Sequence, residues 1–473
     1  RQLWPLAAIV AVGALIAAVQ LVPTQALSAL STRAGGLSLR DAAAFSLPPT
    51  LLPRALLPPF GPWPALLSEH VAWVGWLGLL LAALGAWKGL HRAARHFGLL
   101  AVATGLLLAL GGYNPLFWLL WRVVPGFDLF RVPARWLLLW ALGAALLAGL
   151  GVEWLARRAP RPTAAAALLV ALLLGDLWLG AQAQKYQQAT APDAYGGLRP
   201  APAALLALPD DAGRARLLTM SDLTWDPGDL ATLEGRYGGL LGEEARYDLV
   251  VATKLKEILA PNQPMRWGLA TADGYGGGLL PTARWVIFQQ LLPLAKVVPD
   301  GRLREQLTAF PRPALLDVMG VGWLVTDKNR DWWSEGIYHD LDGAVAVVPG
   351  ERLRWEVPEQ GATALSFVVR GAWPAEAGAL LVGGERVPLA GAMERATREA
   401  NYGAERHLWL SLPAPATVSE IEIEGGAEGW TLAGLTLVDE RLPSFQPLVA
   451  DPALRTWLSG DVKLYAREGT PGR

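Results

Sequence analysis

The sequence predicts a multi-spanning α-helical membrane region of about five transmembrane helices, then an extracytoplasmic α/β linker and an antiparallel β-sandwich. Three observations carry this. Of 473 residues, 52% are hydrophobic and only 18% charged, and mean hydropathy is +0.29, where soluble domains carry roughly a quarter charged residues. The charges are split: the first 182 residues hold 13 Lys or Arg and 5 Asp or Glu, and the remainder holds 28 and 37. Finally, the hydrophobic pattern changes from long unbroken runs to a period of two near residue 343.

A span needs about 20 mostly apolar residues, and five stretches approach that length. Residues 3–22 carry no charge and end at Pro23; they exceed a signal-peptide core and lack its cleavage site. Residues 71–90 end on Lys88, which can snorkel. Residues 97–112 are short. Residues 134–155 begin beside Arg135 and end beside Glu153, and 163–183 contain a single acid, Asp176. The loops 88–96 and 156–161 are basic and acid-free, so the positive-inside rule places both in the cytoplasm. Alternation then puts loops 23–70 and 113–133, and everything after the fifth span, outside. This defines a membrane region over 1–183, a mixed α/β domain over 184–342, a β-sandwich over 343–441 and a C-terminal segment, 442–473, returning to the α/β domain. The start at Arg1 rather than Met reads as a fragment or a processed chain.

The outer loop 113–133 breaks the charge rule with Arg122 and Arg131, and Arg135 follows it. Pro115, Pro125, Pro133 and Gly126 prevent one continuous helix there, so a re-entrant or interfacial segment is expected. Guanidinium groups in such a setting suit a phosphate, through bidentate charge-assisted hydrogen bonds. The competing reading pairs them with Asp128, Asp176, Glu69 or lipid headgroups.

The segment PGFDLFRVPARWLLLWALGAALLAGLGVEWL, preceded by GYNPL, resembles the YfhO-like bacterial membrane proteins, a branch of the GT-C superfamily of polyprenyl-phosphate-dependent glycosyltransferases. QLVPTQALSALSTRAGGLS, SLPP, LPPFGPW, LLDVMGVGWLVTD and DVKLYAREGTPGR extend the resemblance over most of 1–340 and the last residues. The FR-x-P-x-R signature is its most specific part. The resemblance implies a bacterial plasma-membrane enzyme that moves a sugar from a polyprenyl-phosphate donor to a cell-envelope glycan or polymer. It also implies a catalytic acid in an early outer loop, expected upstream of this chain.

Such a transfer needs positive charge on the departing phosphate and a base for the acceptor hydroxyl. Arg131 and Arg135 lead for the first role, with Arg122 and Arg33 behind them. The weaker candidates for the second are Asp41, Glu69 and Asp176. An ionisable group within a span is a functional candidate by default, although a partner on Arg135 or a polar cavity would explain Asp176 structurally. No HExxH, GxSxG, Walker or GxGxxG pattern exists, and the absence of Cys excludes thiolate chemistry. No cofactor or metal is expected, although Asp41 or the Glu69–His70 pair could help to hold a divalent cation. No nucleic-acid partner is expected from a net charge of −1. The expected partners are the lipid bilayer, the lipid-linked sugar and its acceptor.

In the polar half, the Gly- and Pro-rich segment 260–285 carries Asn262, Trp267, Asp273 and Tyr275, residue types that stack on and hydrogen-bond sugars. Residues 313–327 read as a helix running into an apolar strand. Seven alternating runs follow over 343–441, with Trp373, Tyr402, Trp409 and Trp430 as possible sugar platforms or core. The alternative to an enzyme is a membrane scaffold or flippase-like protein presenting this outer sheet to carbohydrate.

Overall fold

The computed structural model describes residues 3–57, 68–182, 190–208, 215–275, 281–298, 302–400 and 403–467. Most of the expected LPPFGPW motif, from residue 58, and Tyr402 lie outside the described residues. The chain forms two compact units, Arg1–Ala189 and Thr190–Arg473.

The first unit is helical: α1 (Leu3–Leu30), α2 (Leu39–Ala42), α3 (Leu52–Leu56), α4 (Trp76–Lys88), α5 (Arg92–Ala109), α6 (Pro115–Val123), α7 (Leu137–Ala156) and α8 (Pro162–Gln182). Among the described residues, three stretches are long and apolar enough to cross a membrane: Ala7–Leu30, Pro133–Ala156 and Pro162–Gln182. This corrects the expectation of five. The stretch 71–90 yields only the 13-residue α4, about 20 Å at 1.5 Å per residue, because Gly75 turns the chain with φ +85 just before it. The stretch 97–112 lies in α5, which begins earlier with Arg92 and Arg95 in its first turns and stops at Ala109. The first helix does not stop at Pro23 but runs on to Leu30. The Thr24 hydroxyl donates to the Gln20 carbonyl at 2.7 Å, one of the local repairs that let a helix continue past proline.

α4 and α5 form a hairpin against α7. α4 runs parallel to α7, with Gly85 against Leu147 and Gly151, and His91 beside Glu153. α5 runs antiparallel, with Gly98 on Leu147 and Gly105 on Trp140. The backbones approach closely: a Cβ on Gly85 would lie 1.8 Å from the Leu147 carbonyl, and one on Gly151 2.1 Å from that of Leu81. Small residues at helix contacts are what membrane helices use in place of a hydrophobic driving force.

The second unit begins with α9 (Pro192–Gly196), α10 (Pro200–Leu206), β1 (Arg216–Met220), α11 (Leu230–Tyr237), α12 (Glu243–Glu257), α13 (Ala283–Gln289), α14 (Pro313–Met319) and β2 (Val321–Thr326). The parallel pair β1–β2 is completed by β14 (Lys463–Arg467) and β13 (Leu454–Ser459), in the order β1-β2-β14-β13. Both faces of this sheet are buried: Leu218, Leu324 and Tyr465 on one, Leu217, Trp323, Val325 and Leu464 on the other. Continuous apolar strands such as VGWLVT are what a two-sided sheet requires.

Between β2 and β13 lie a small hairpin, β3 (Trp332–Ser334) with β4 (Ile337–His339), and eight further strands. These are β5 (Val345–Val347), β6 (Arg352–Arg370), β7 (Gly378–Val382), β8 (Glu385–Pro388), β9 (Met393–Ala400), β10 (Gly403–Gly425), β11 (Trp430–Asp439) and β12 (Ser444–Leu448). They make one antiparallel sheet in the order β12-β11-β6-β10-β7-β8, with β5 on β11 and β9 on β10. RLRWEV and ALSFVV fuse into the 19-residue β6, and HLWLSL and SEIEIEG into the 23-residue β10. Register shifts between Ser411 and Ala416 and between Val418 and Glu420 interrupt the long pair. Its two halves share one core, which joins Trp355, Leu380 and Ile421 to Phe367, Leu408 and Leu435.

Candidate functional site

One end of the helical unit carries Arg33, Arg131 and Arg135. The C-terminal end of α1, the end of α5 and the start of α7 meet there. Leu37 N donates to Asp128 O at 2.9 Å, Leu47 N to Ala109 O at 2.9 Å and Trp121 Nε1 to Leu37 O at 3.1 Å. Asn114 caps α6, accepting from Leu116 N at 3.0 Å and donating to Leu107 O at 2.8 Å.

Within this frame Arg131 is near enough for its charge to act on Arg33, although 98 positions separate them in the chain. Burial, and after it the neighbouring Arg131 charge, hold the Arg33 guanidinium below its usual range. No carboxylate pairs with either among the described residues. Arg131 lies 6.0 Å from the Phe45 ring. The residues that aim it are strained: Val132, buried and β-branched, has φ 67 and ψ 67, and Phe45 has φ 59. Non-glycine residues in this region cost about 1–3 kcal/mol each and persist only where the surroundings enforce them. Here Pro133 opens the 3-10 turn Pro133–Trp136, and His70 Nε2 lies 3.3 Å from the Phe45 carbonyl. Two guanidinium charges within each other's reach and without a paired carboxylate repel, and an anion relieves that repulsion.

The other expected residues have different partners. Arg135 forms a bidentate pair with Glu69, Nε to Oε2 at 3.1 Å and Nη2 to Oε1 at 2.8 Å. The hydrogen bond from Arg135 is the main cause that keeps the Glu69 carboxyl below the ordinary range. Arg122 stands exposed in the last turn of α6. Asp41 accepts from the Ser38 hydroxyl at 2.6 Å at the start of α2. Asp176 is neither paired with Arg135 nor left in a polar cavity: its Oδ2 accepts from Leu77 N at 2.8 Å, capping α4 from the neighbouring helix α8. All three expected acids are thus engaged.

Of the expected sugar residues, Asn262 and Tyr275 come together, while Asp273 and Trp267 have other partners. Asn262 clamps the Tyr275 backbone, Nδ2 to O at 2.6 Å and Tyr275 N to Oδ1 at 3.1 Å. Asp273 is buried, accepting from Leu303 N at 3.0 Å and Arg304 N at 3.1 Å, and burial pushes its carboxyl up to about 6. Trp267 packs on the β1–β2 sheet core, and Tyr275 is exposed under the Arg302 guanidinium. Trp409 and Trp430 are core residues, and Trp373 packs against Phe367 and Trp430.

Two further clusters carry no sequence motif. Lys463, fully buried, sits among Asp331, Asp340 and Asp342 at 2.6, 2.8 and 2.7 Å, and Tyr465 donates to Asp340 at 2.7 Å. The three carboxylates could by their spacing hold a metal ion, but the ammonium group already fills that position. Burial first, then Asp340 and Asp342 against the pull of Lys463, push the Asp331 carboxyl up to about 7. In the large sheet the Ser366 hydroxyl lies 2.7 Å from His407 Nε2, yet both residues are wholly buried, so this contact ties strands and offers no nucleophile.

No family model, no curated protein and no solved structure matches the chain.

Proposed function

We propose that the chain is a bacterial plasma-membrane protein that holds a polyprenyl-phosphate sugar by its phosphate at Arg33 and Arg131, on the extracytoplasmic face, and serves its transfer to a cell-envelope acceptor. The observation that carries this reading is the convergence of two carboxylate-free guanidinium groups beside the strained Val132, within the FR-x-P-x-R segment. Insertion is supported by α1 and α8, which are apolar and exposed on nearly all sides, since a helix hydrophobic all round is stable only in an apolar medium. The orientation rests on the basic, acid-free segments 88–96 and 156–161, at the end of the helical unit opposite the arginine pair. By this orientation the second unit is extracytoplasmic.

The engagement of Asp41, Glu69 and Asp176 favours a second reading, in which the chain binds the lipid phosphate and leaves the chemistry to another protein. Both readings are tested with undecaprenyl phosphate and the full chain in lipid nanodiscs. Arg131→Ala and Arg33→Ala are each expected to weaken binding about 10- to 100-fold, the loss of one or two charged hydrogen bonds at about 1.5–3 kcal/mol. Unchanged affinity in both variants overturns the proposal. Turnover of a polyprenyl-phosphate glucose by the wild-type chain separates the enzyme from the binder.

A further inference from the structure

Helices α11 and α12 form a hairpin whose apolar side is left open. No residue of α11 is buried, yet Leu230, Leu233 and Tyr237 recur at i, i+3 and i+7, the spacing of a helix face that is normally covered. Leu240 N and Leu241 N both donate to the Tyr237 carbonyl, at 2.9 and 3.0 Å, so the turn carries the stripe on to two more leucines. Leu240 is 77% exposed, and Tyr247 on α12 is 68% exposed. Leu230, Leu233, Tyr237, Tyr247 and Val250 line a groove of about 330 Å³ between the two helices. Among the described residues, none of these five side chains joins a hydrophobic cluster of the second unit.

We propose that this hairpin lays its apolar side, with the tip 237–242 foremost, into the headgroup layer of the bilayer that α8 spans. Two observations select a lipid surface over a soluble partner. The first is the reach of the chain. Ten positions separate Gln182, the end of α8, from Pro192, the start of α9, at most about 36 Å of extended backbone. α12 packs on both α9 and α10. Arg199, between those two helices, clamps both roots of the hairpin: Nη1 donates to Asp229 Oδ2 at 2.6 Å just before α11, and Nε to Glu257 Oε2 at 2.8 Å at the end of α12. The groove therefore stays within reach of the bilayer surface. The second observation is the distribution of charge. The tip, YGGLLG, carries none. Among the charged residues lining the groove, Lys254 is paired with Asp226 at 2.9 Å, and the others are Glu234, Glu243 and Arg246. Charges of both signs make no basic patch for an anionic polymer. Leucines flanked by tyrosines, with an arginine whose stem can lie along them, are the composition of a membrane interface. Zwitterionic lipid is sufficient for this contact. The inference rests on the membrane reading of the helical unit and not on the arginine pair.

The test is fluorescence of the full chain in phosphatidylcholine nanodiscs, with the fluorophore NBD on a single introduced cysteine and a doxyl-labelled phosphatidylcholine as quencher. Leu240→Cys reports the tip, Leu172→Cys in α8 reports insertion, and Gly384→Cys in the large sheet reports a position in water. The label at 240 should be blue-shifted and lose about half its fluorescence to a doxyl group near the headgroups. The label at 172 should be quenched by a doxyl group deep in the chains, and the label at 384 by neither. Leu233→Glu, added to Leu240→Cys, should remove most of the quenching at 240 with the thermal unfolding temperature unchanged. Quenching at 172 without quenching at 240 overturns the inference and leaves insertion standing, whereas quenching at neither overturns both. A blue-shifted label at 240 that doxyl lipid leaves bright would place the tip against protein and also overturns the inference, as does undiminished quenching in Leu233→Glu.

Discussion

Single side chains in this protein divide by whether a protein partner has already claimed them. Arg131 and Arg135 are four residues apart and equivalent in sequence, yet Arg135 is held bidentately by Glu69 while Arg131 has no carboxylate partner among the described residues and acts by its charge on Arg33. The FR-x-P-x-R pattern marks the segment but not this division, which depends on Glu69 some 66 positions away. Asp176 was legible only as an acid in an apolar run. Its role as a cap comes from a backbone N–H of another helix, for which sequence spacing holds no signal. Asp176→Ala is expected to cost about 0.5–2 kcal/mol, the value of a helix cap, read as a fall in thermal unfolding temperature, with Asp176→Asn restoring most of it. Asp331 makes a pH prediction. Its proton leaves near 3.8 in the unfolded chain and near 7 in the folded one. Between these values the folded state binds more protons, so this group's contribution to stability falls as pH rises from about 4 to about 7. Relative to wild type, Asp331→Asn should therefore gain up to about 1.4 kcal/mol per pH unit across that window. Parallel stability profiles for the two proteins would contradict the assignment.

At the level of elements, periodicity identified helices and strands better than their ends. The alternating runs over 343–441 do form antiparallel strands, but two pairs of them fuse into β6 and β10 because each long strand passes through a register shift rather than a turn. The intervening Pro and Gly residues that read as turns sit at those irregularities. The helix-to-strand reading of 313–327 corresponds to α14 and β2, where Gly320, with φ +67, ends the helix. The membrane stretches were overcounted because apolar length was measured without regard to Gly75 or to Arg92 and Arg95. Close packing of α4 on α7 makes a sharp prediction. Gly85→Val places its side chain into the Leu147 carbonyl and should prevent a stable, monodisperse preparation. Gly149→Val, with nothing within 4 Å of the added Cβ, should behave as wild type by size-exclusion chromatography.

For the whole molecule, the charge split was the most readable property. It marks an apolar helical part before a polar part rich in β-structure, and the chain divides into compact units at Ala189 and Thr190. The expected return of 442–473 to the α/β domain corresponds to β14, more than 130 residues beyond β2, pairing with β2; the Lys463 cluster that this closure buries had no signal. The central claim is that the helical unit spans a bilayer with its arginine pair outside. The chain has no Cys, so single cysteines can be introduced without background. The most direct measurement is labelling of Ala34→Cys, Pro160→Cys and Gly384→Cys in intact spheroplasts with a membrane-impermeant maleimide. Positions 34 and 384 should react at once, and position 160 only after permeabilisation. Reaction at 160 in intact spheroplasts, or protection at 34, would contradict it.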